Sequence, residues 1–327
     1  MRTIAMHEHA GSIRLGIIGT GNILDRFLPG AARSTSIEVV GIASRDPDRA
    51  RATAAARGIP NAFGSYDALL ADPAIDLVYI CLPNSMHHDW TMRSLAAGKH
   101  VLCEKPYSTD PNEVDAAQDL AAANHLVLTE GFMWRHGPHA LRFAEELPRV
   151  GEVRAIRTTF SFSIESEADI RLQHELAGGS LRDVGTYCVS ASRLLAGREP
   201  VAAFGRAWPA APAIDDRFSG ILDFGQGLTA TLTSGFRSRH SGIEAIGSAG
   251  SLRLDDPFAG RATKLIGSDG FVTEIPRVDP YELELDDLAA AIRGEHPPRL
   301  GRADMVGQAR ALAALYKSAE TGRLVDV

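Results

Sequence analysis

The feature that most constrains this chain is an apolar run, Ile13–Ile18, that empties at once into Gly19-Thr20-Gly21-Asn22-Ile23-Leu24. A short run that is apolar throughout reads as a strand buried on both faces, the texture of a parallel sheet. A glycine directly after it permits a tight turn, and a second lets backbone approach a bound group. A helix opening there turns its first N–H groups and its positive dipole end toward an anion such as a pyrophosphate. Leu24 stands where the dinucleotide fingerprint has its third glycine, so the motif is incomplete and its context must carry it.

That context is supportive. Further apolar runs at 37–43, 77–81, 100–103 and 126–129 read as strands, with helical patterns near 22–33, 47–57, 65–71, 85–97 and 111–123 between them. Alternation of this kind predicts a doubly wound parallel α/β sheet, a Rossmann domain. Asp110-Pro111 supplies a helix cap and a first-turn proline, and Gly98 a helix stop. After residue 131 the strand-like runs crowd together, at 153–162, 218–224, 228–235, 243–247, 251–254 and 271–275, with Gly225-Gln226-Gly227 as a hairpin turn. Helical stretches fall at 181–195, 280–293 and 303–321. The expectation is a tail over 1–12, a dinucleotide-binding domain over 13–131, and an α+β domain over 132–327 with an open-faced, mainly antiparallel sheet. The last helix is left free to pack back on the first domain.

Bulk properties narrow the function. A formal charge of −7 with no run of Lys or Arg argues against nucleic acid. Cys81, Cys103 and Cys188 have no paired spacing, which argues against a disulfide framework or a cysteine-rich metal site. They read as small core residues. No stretch approaches the ~20 apolar residues of a membrane span, and Met1–Gly11 lacks the apolar core of a signal peptide. These features predict a cytoplasmic protein without a membrane partner. His87-His88 and His136/His139 are the nearest approach to metal ligands; adjacent helical residues point about 100° apart, and Pro138 reads as a helix start. No metal is predicted, and His87 is expected to face the cofactor.

The second strand ends Ala43-Ser44-Arg45-Asp46. A carboxylate at this strand end would bind the ribose 2′-hydroxyl of NAD, whereas Ser44, Arg45 and Arg49 suit a 2′-phosphate. NADP is therefore put ahead of NAD, with Asp46 keeping NAD open. Two later stretches carry chemistry. Glu104-Lys105-Pro106 closes the strand at 100–103, at the carboxyl end where open α/β sheets bind ligands. Asp183 and Tyr187, four apart behind Gly178-Gly179, would share one helix face.

These motifs, with Leu82-Pro83-Asn84-x-x-His87 and Glu130-Gly131-Phe132-Met133-Trp134-Arg135, resemble the glucose–fructose oxidoreductase / inositol dehydrogenase / rhizopine catabolism (Gfo/Idh/MocA) family over the whole chain from residue 13. Tyr187 in place of histidine resembles the branch of dimeric dihydrodiol dehydrogenase, NADP-dependent xylose dehydrogenase and NDP-sugar 3-ketoreductases. The resemblance implies NAD(P)-dependent chemistry on a sugar, sugar nucleotide or cyclic diol. It implies Lys105, Asp183 and Tyr187 as catalytic residues. For the cofactor it implies Gly19, Thr20, Gly21, Asn22, Ile23, Ser44, Arg45, Arg49, Leu82, Pro83, Asn84, His87, Glu104, Lys105, Arg135 and Arg171. It also implies a homo-oligomer, dimer or tetramer, paired through the second sheet, where Thr229, Thr231 and Thr233 alternate with apolar neighbours.

The chemical expectation is hydride exchange between nicotinamide and a carbinol or carbonyl carbon. Tyr187 or Lys105 handles the proton, and the Lys105 ammonium lowers the phenol pKa. Rival classes are an NADP-binding sensor, which needs no Lys105–Asp183–Tyr187 set, and a hydrolase that keeps NAD bound. Loops around 160–175 and 236–242 are expected to line the substrate pocket, and Arg237, Arg239 and His240 form a small basic cluster suited to a phosphate or a surface loop.

Overall fold

A computed structural model describes residues 11–211, 214–258 and 260–327; the tail expected over 1–12 lies, up to residue 10, outside them. The first sheet contains β1 (Ile13–Ile18), β2 (Ile37–Ala43), β3 (Asn61–Phe63), β4 (Leu77–Ile80), β5 (His100–Glu104) and β6 (Leu128–Gly131), in the order β3-β2-β1-β4-β5-β6. Every pairing is parallel. Ile13, Leu15, Ile17, Ile18 and the whole of Leu77–Ile80 are completely buried, as their unbroken apolar texture requires. Around this sheet lie α1 (Leu24–Ala31), α2 (Pro47–Arg57), α3 (Tyr66–Leu70), α4 (His87–Ala96) and α5 (Pro111–Ala123). Asp46 caps α2 through the N–H groups of Asp48 and Arg49, and Asp110 caps α5. The chain order reverses between β1 and β4, which opens a crevice at their carboxyl ends.

The last strand of this sheet starts two residues later than its apolar run suggests. The Leu126 N–H still bonds back to Ala121, and the Val127 N–H donates to the His100 ring, so pairing begins only at Leu128.

After α6 (Pro138–Glu146), the second sheet contains β7 (Val153–Ser163), β8 (Ala202–Ala211), β9 (Ile214–Asp223), β10 (Thr229–Gly235), β11 (Arg237–Gly247), β12 (Gly250–Asp255), β13 (Lys264–Gly267), β14 (Val272–Glu274) and β15 (Val325–Asp326). Its order is β14-β13-β12-β11-β7-β10-β9-β8-β15, antiparallel except for β7 beside β10. The β9–β10 turn is Gly225-Gln226-Gly227, all three at positive φ. β8 was not legible: its Ala, Gly and Pro have little strand propensity, and it is ordered by pairing with β9.

One face of this sheet is covered by α7 (Thr186–Ala196) and by the long α9 (Arg302–Thr321), while α8 (Pro280–Ile292) packs on α1. The last helix does reach the first domain. It lies on α5 at its start, where Met305 and Ala309 join the core of the parallel sheet, and on β8 further along, where Leu312 and Leu315 join the other core. No helix among the described residues is long and apolar enough to cross a membrane.

Candidate active site

The glycine loop sits against the end of β4. Gly19 adopts φ +114°, and a Cβ there would lie 2.9 Å from the Cys81 carbonyl oxygen, so no other residue fits without movement. Gly21 is 3.6 Å from the same oxygen by the same measure. α1 begins without a side-chain cap, and among the described residues the N–H groups of Thr20, Asn22 and Ile23 meet no protein acceptor. A backbone cradle of this kind, with donors left over at a helix start, fits a pyrophosphate. Leu24, in place of the third glycine, is fully buried and supplies helix–sheet packing.

At the end of β2, Ser44 is buried and its Oγ accepts the Asp46 N–H. The Asp46 carboxylate is itself occupied by the α2 cap. Arg45 and Arg49 stand exposed beside it. The strand end therefore offers two guanidinium groups, with its one carboxylate already bonded.

On the other side of the crevice β5 delivers Glu104 and Lys105, followed by a cis bond to Pro106. The Tyr79 hydroxyl donates to Glu104 Oε1 at 2.6 Å, and the Lys105 N–H reaches Oε2 at 3.3 Å. Burial pushes the Glu104 carboxyl up, against the pull of Lys105 and Tyr79. Glu104 thus points inward to β4. Lys105 Nζ crosses to the second domain and donates to Asp183 Oδ1 at 3.0 Å and to the Asp183 carbonyl at 2.7 Å. Asp183 Oδ2 accepts Arg171 Nε at 2.8 Å. Burial opposes the Asp183 charge, but Lys105 and Arg171 outweigh it and hold the carboxyl below its ordinary range.

Asp183 does not share an α-helical face with Tyr187. It lies in a single π-helical turn, Leu181–Gly185, ahead of α7, a widening frequent at functional sites. The two residues meet at Lys105 instead, whose Nζ stands 5.0 Å from the Tyr187 ring centroid. The turn is anchored by Asp215, which the sequence did not reveal: its carboxylate accepts the Ser180 hydroxyl and the Leu181 N–H, both at 2.8 Å. Gly179, at φ +119°, leaves room for it, since a Cβ would fall 2.5 Å from Asp215 Oδ1.

The expected fall in the Tyr187 pKa is overturned. Burial pushes the phenol well above its ordinary value, and Tyr281, Glu104, Asp183 and Glu284 add to the rise. The Lys105 charge cannot reverse this because Asp183 is bound to it. Tyr187 is packed edge-on by Phe132 and Phe160, with centroids 4.9 and 5.4 Å away.

His87 is also not where it was expected. It is fully buried, with Nδ1 2.9 Å from the Pro106 carbonyl and Nε2 2.9 Å from the Leu82 carbonyl; the neutral ring donates to one of the two and is wedged between the Leu82-Pro83 loop and the Lys105-Pro106 bend. Burial pushes its pKa down. Asn84 donates to the Ala177 carbonyl at 2.9 Å, a second link between the halves. The Arg135 guanidinium is engaged by Ser190 and Asp304, at 3.1 and 3.3 Å, and does not join the groups around Lys105. Arg171 does join them, held between Asp183 and Asp169.

Fold and site together define a dinucleotide-binding oxidoreductase: a glycine cradle at a Rossmann switch point, faced by a lysine, a carboxylate and a phenol. Residues 13–132 match the oxidoreductase family with NAD-binding Rossmann fold, GFO/IDH/MocA, and residues 139–253 match the C-terminal domain of the same group. The chain belongs to this family. It is 37% identical to D-xylose 1-dehydrogenase (NADP(+)) 2 of Haloferax volcanii, over 95% of this chain and 99% of that protein. Among solved structures it is similar to an aldose-aldose oxidoreductase from Caulobacter crescentus (TM-score 0.89, 26% identity, 97% of this chain and 100% of that one). It is also similar to a 3-ketoreductase from Actinomadura kijaniata in complex with NADP and TDP-benzene (TM-score 0.88, 30% identity, 94% and 98% coverage).

Proposed function

We propose that this chain is an NADP(H)-dependent oxidoreductase that moves a hydride between nicotinamide and the carbinol or carbonyl carbon of a sugar or sugar-like molecule. The observation that carries the reading is the chain Lys105–Asp183–Arg171, with Tyr187 beside it, at the carboxyl edge of the sheet that holds the glycine cradle. Relatives named for activities on xylose and on a dTDP-sugar support it.

In this reading the backbone of Gly19, Thr20, Gly21, Asn22 and Ile23 binds the pyrophosphate, Arg45 and Arg49 bind the 2′-phosphate, and Leu82, Pro83 and Asn84 border the nicotinamide half. Bound NADP(H) supplies the hydride acceptor or donor. Lys105 presents an N–H to the substrate oxygen and steadies negative charge growing there. Tyr187, kept protonated by its burial, gives that oxygen its proton in the reductive direction and is left as phenolate, the form that takes the proton back in the oxidative one. Asp183 keeps the ammonium aimed.

The same proposal assigns residues 13–131 to the cofactor and 132–327 to substrate and assembly. It has a homo-oligomer pairing through the open sheet face, where Phe204 and Ile221 are register neighbours and both exposed. Light scattering on the purified protein checks the pairing. Three buried free thiols suit a reducing, cytoplasmic setting. The decisive assay follows nicotinamide absorbance with NADP⁺ and NAD⁺ against aldoses, inositols and dihydrodiols, in both directions. Lys105→Ala and Tyr187→Phe should each lower turnover by about 10²–10⁴-fold. Turnover within a few-fold of the parent in both variants would defeat the proposal.

A further inference from the structure

Lys105 and Tyr187 come from different domains, so whatever sets the distance between them has to touch both. α9 does. Its start is bonded to the first domain: Arg302 pairs with Asp115 and Asp119 on α5, and Met305 and Ala309 lie in the core of the parallel sheet. Just ahead of it the Leu300 carbonyl accepts the Thr129 hydroxyl of β6, the strand beside the one that ends at Glu104. Its middle meets α7, the helix that begins one residue before Tyr187.

The two helices meet through a chain of buried polar groups. Arg193 on α7 holds Glu199 through Nε and Nη2, both at 2.7 Å, and turns Nη1 to Gln308 Oε1 on α9 at 3.0 Å. Gly307 gives this guanidinium its place, since a Cβ there would fall 2.4 Å from Nη2. Gln308 Nε2 then donates to the Thr186 carbonyl and to Thr186 Oγ1, both at 2.8 Å. A guanidinium can only donate and a carbonyl only accept, so the amide has a single workable orientation and spends both of its hydrogens on Thr186. Gln308 and Thr186 are both buried. About two turns further along α9, the Tyr316 hydroxyl donates to Asp215, the residue that anchors the other end of the π turn. The segment carrying Asp183 is therefore held at both ends from one helix.

An all-apolar contact of the same size between the two helices would be about as stable as this chain of polar groups. What the chain adds is direction. The two bonds from Gln308 fix both the backbone and the side chain of the residue next to Tyr187, and so the rotation of the first turn of α7 about its axis. Around the Tyr187 ring itself, Phe132, Phe160 and Phe258 supply packing. We infer that Gln308 is a positioning residue for the proton step: through Thr186 it keeps the Tyr187 phenol in its place beside Lys105. The role of Tyr187 comes from the oxidoreductase reading; the hydrogen bonds to Thr186 stand without it.

The test is a double-mutant cycle of Gln308→Met and Tyr187→Phe, with kcat and KM measured for NADP⁺ and whichever aldose, inositol or dihydrodiol the parent turns over fastest. Misplacing a reacting group by about an ångström costs up to about 100-fold, so Gln308→Met should lower kcat by about 10–100-fold and leave KM for NADP⁺ unchanged. In the Tyr187→Phe background the same substitution should change kcat by no more than about twofold, because the group it positions is gone. Gln308→Glu keeps the shape and the Arg193 contact but turns an acceptor onto the Thr186 carbonyl. It should unfold at a temperature nearer the parent's than Gln308→Met does, and still lose kcat. Hydrogen exchange adds a readout that needs no substrate: amides of 181–187 should exchange about tenfold faster in both Gln308 variants, while those of α5 and β8 keep the parent's rates. Equal losses of kcat in the two backgrounds, recovery of kcat in Gln308→Glu, or exchange in 181–187 no faster than in the parent overturns the inference. If Tyr187→Phe alone costs no turnover, or the parent turns over none of these compounds, the oxidoreductase reading fails instead, and exchange decides this inference by itself.

Discussion

Lys105 Nζ donates to Asp183 twice, once to its carboxylate at 3.0 Å and once to its backbone carbonyl at 2.7 Å, across 78 positions of sequence. The two side chains are only 12% and 16% exposed, so this contact both aligns the ammonium and locks the first domain to the second. Replacing the carboxylate would leave Lys105 and Arg171 facing each other. Asp183→Asn should destabilise the fold by about 3 kcal/mol, the cost of breaking a buried ion pair from one side, and lower kcat more than it changes KM. Denaturant unfolding and steady-state kinetics on one preparation check both. Unchanged stability would mean that the pair is not needed to hold the domains together.

Cofactor choice should follow the arginines at the end of β2. With Asp46 bonded into the α2 cap, the Arg45→Ala, Arg49→Ala double variant should raise KM for NADP⁺ by about 10–100-fold, the worth of a charge-assisted contact. KM for NAD⁺ should move little. An equal rise for both cofactors would show that the change acts on the loop rather than on the 2′-phosphate.

The raised Tyr187 pKa sets the sign of a pH effect. The form that carries the proton persists below the raised value, which lies well above the ordinary 10.0. Reductive kcat/KM should therefore lose nothing to Tyr187 ionisation up to about pH 10. Tyr187→Phe should lower the whole profile without moving its basic limb. A basic limb near neutrality that vanishes in Tyr187→Phe would contradict the assignment.

Glu130 offers a stability measurement independent of catalysis. It is 2% exposed, one oxygen accepts the Tyr107 N–H at 2.7 Å, and burial pushes its carboxyl up to about 7 from 4.5. A folded pKa above the unfolded one means that the native state binds more protons between those values. Stability therefore falls as pH rises from about 4.5 to 7, by about 3 kcal/mol in total. Glu130→Gln, which keeps the acceptor for Tyr107, should flatten that slope in thermal unfolding across the same window.

Much of the first domain was legible because its signals are local. The double-sided apolar strands, the Asp110-Pro111 cap and the glycine turn each act within a few residues. Lys105, Asp183 and Tyr187 could be picked out as a set through the family resemblance, and the structure brings all three together. The direction of each side chain was another matter. His87 was read as facing the cofactor, yet two carbonyls from separate loops claim its ring. The Tyr187 phenol was read as lowered by one neighbouring charge, yet burial and four further groups raise it. Asp215, which anchors the π turn, carried no signal because its partners Ser180 and Tyr316 are 35 and 101 positions away.

By itself the sequence determined the parallel sheet, the glycine loop after β1 and the arginine-bearing end of β2, since backbone sterics and apolar periodicity act at short range. Tertiary structure alone decided that Asp183 bridges Lys105 and Arg171, that Asp215 anchors the π turn, and that Arg237 is held by Glu167 and Asp216. Electrostatics and desolvation depend on distance in space and on who else is near, and neither is written in the order of residues along the chain.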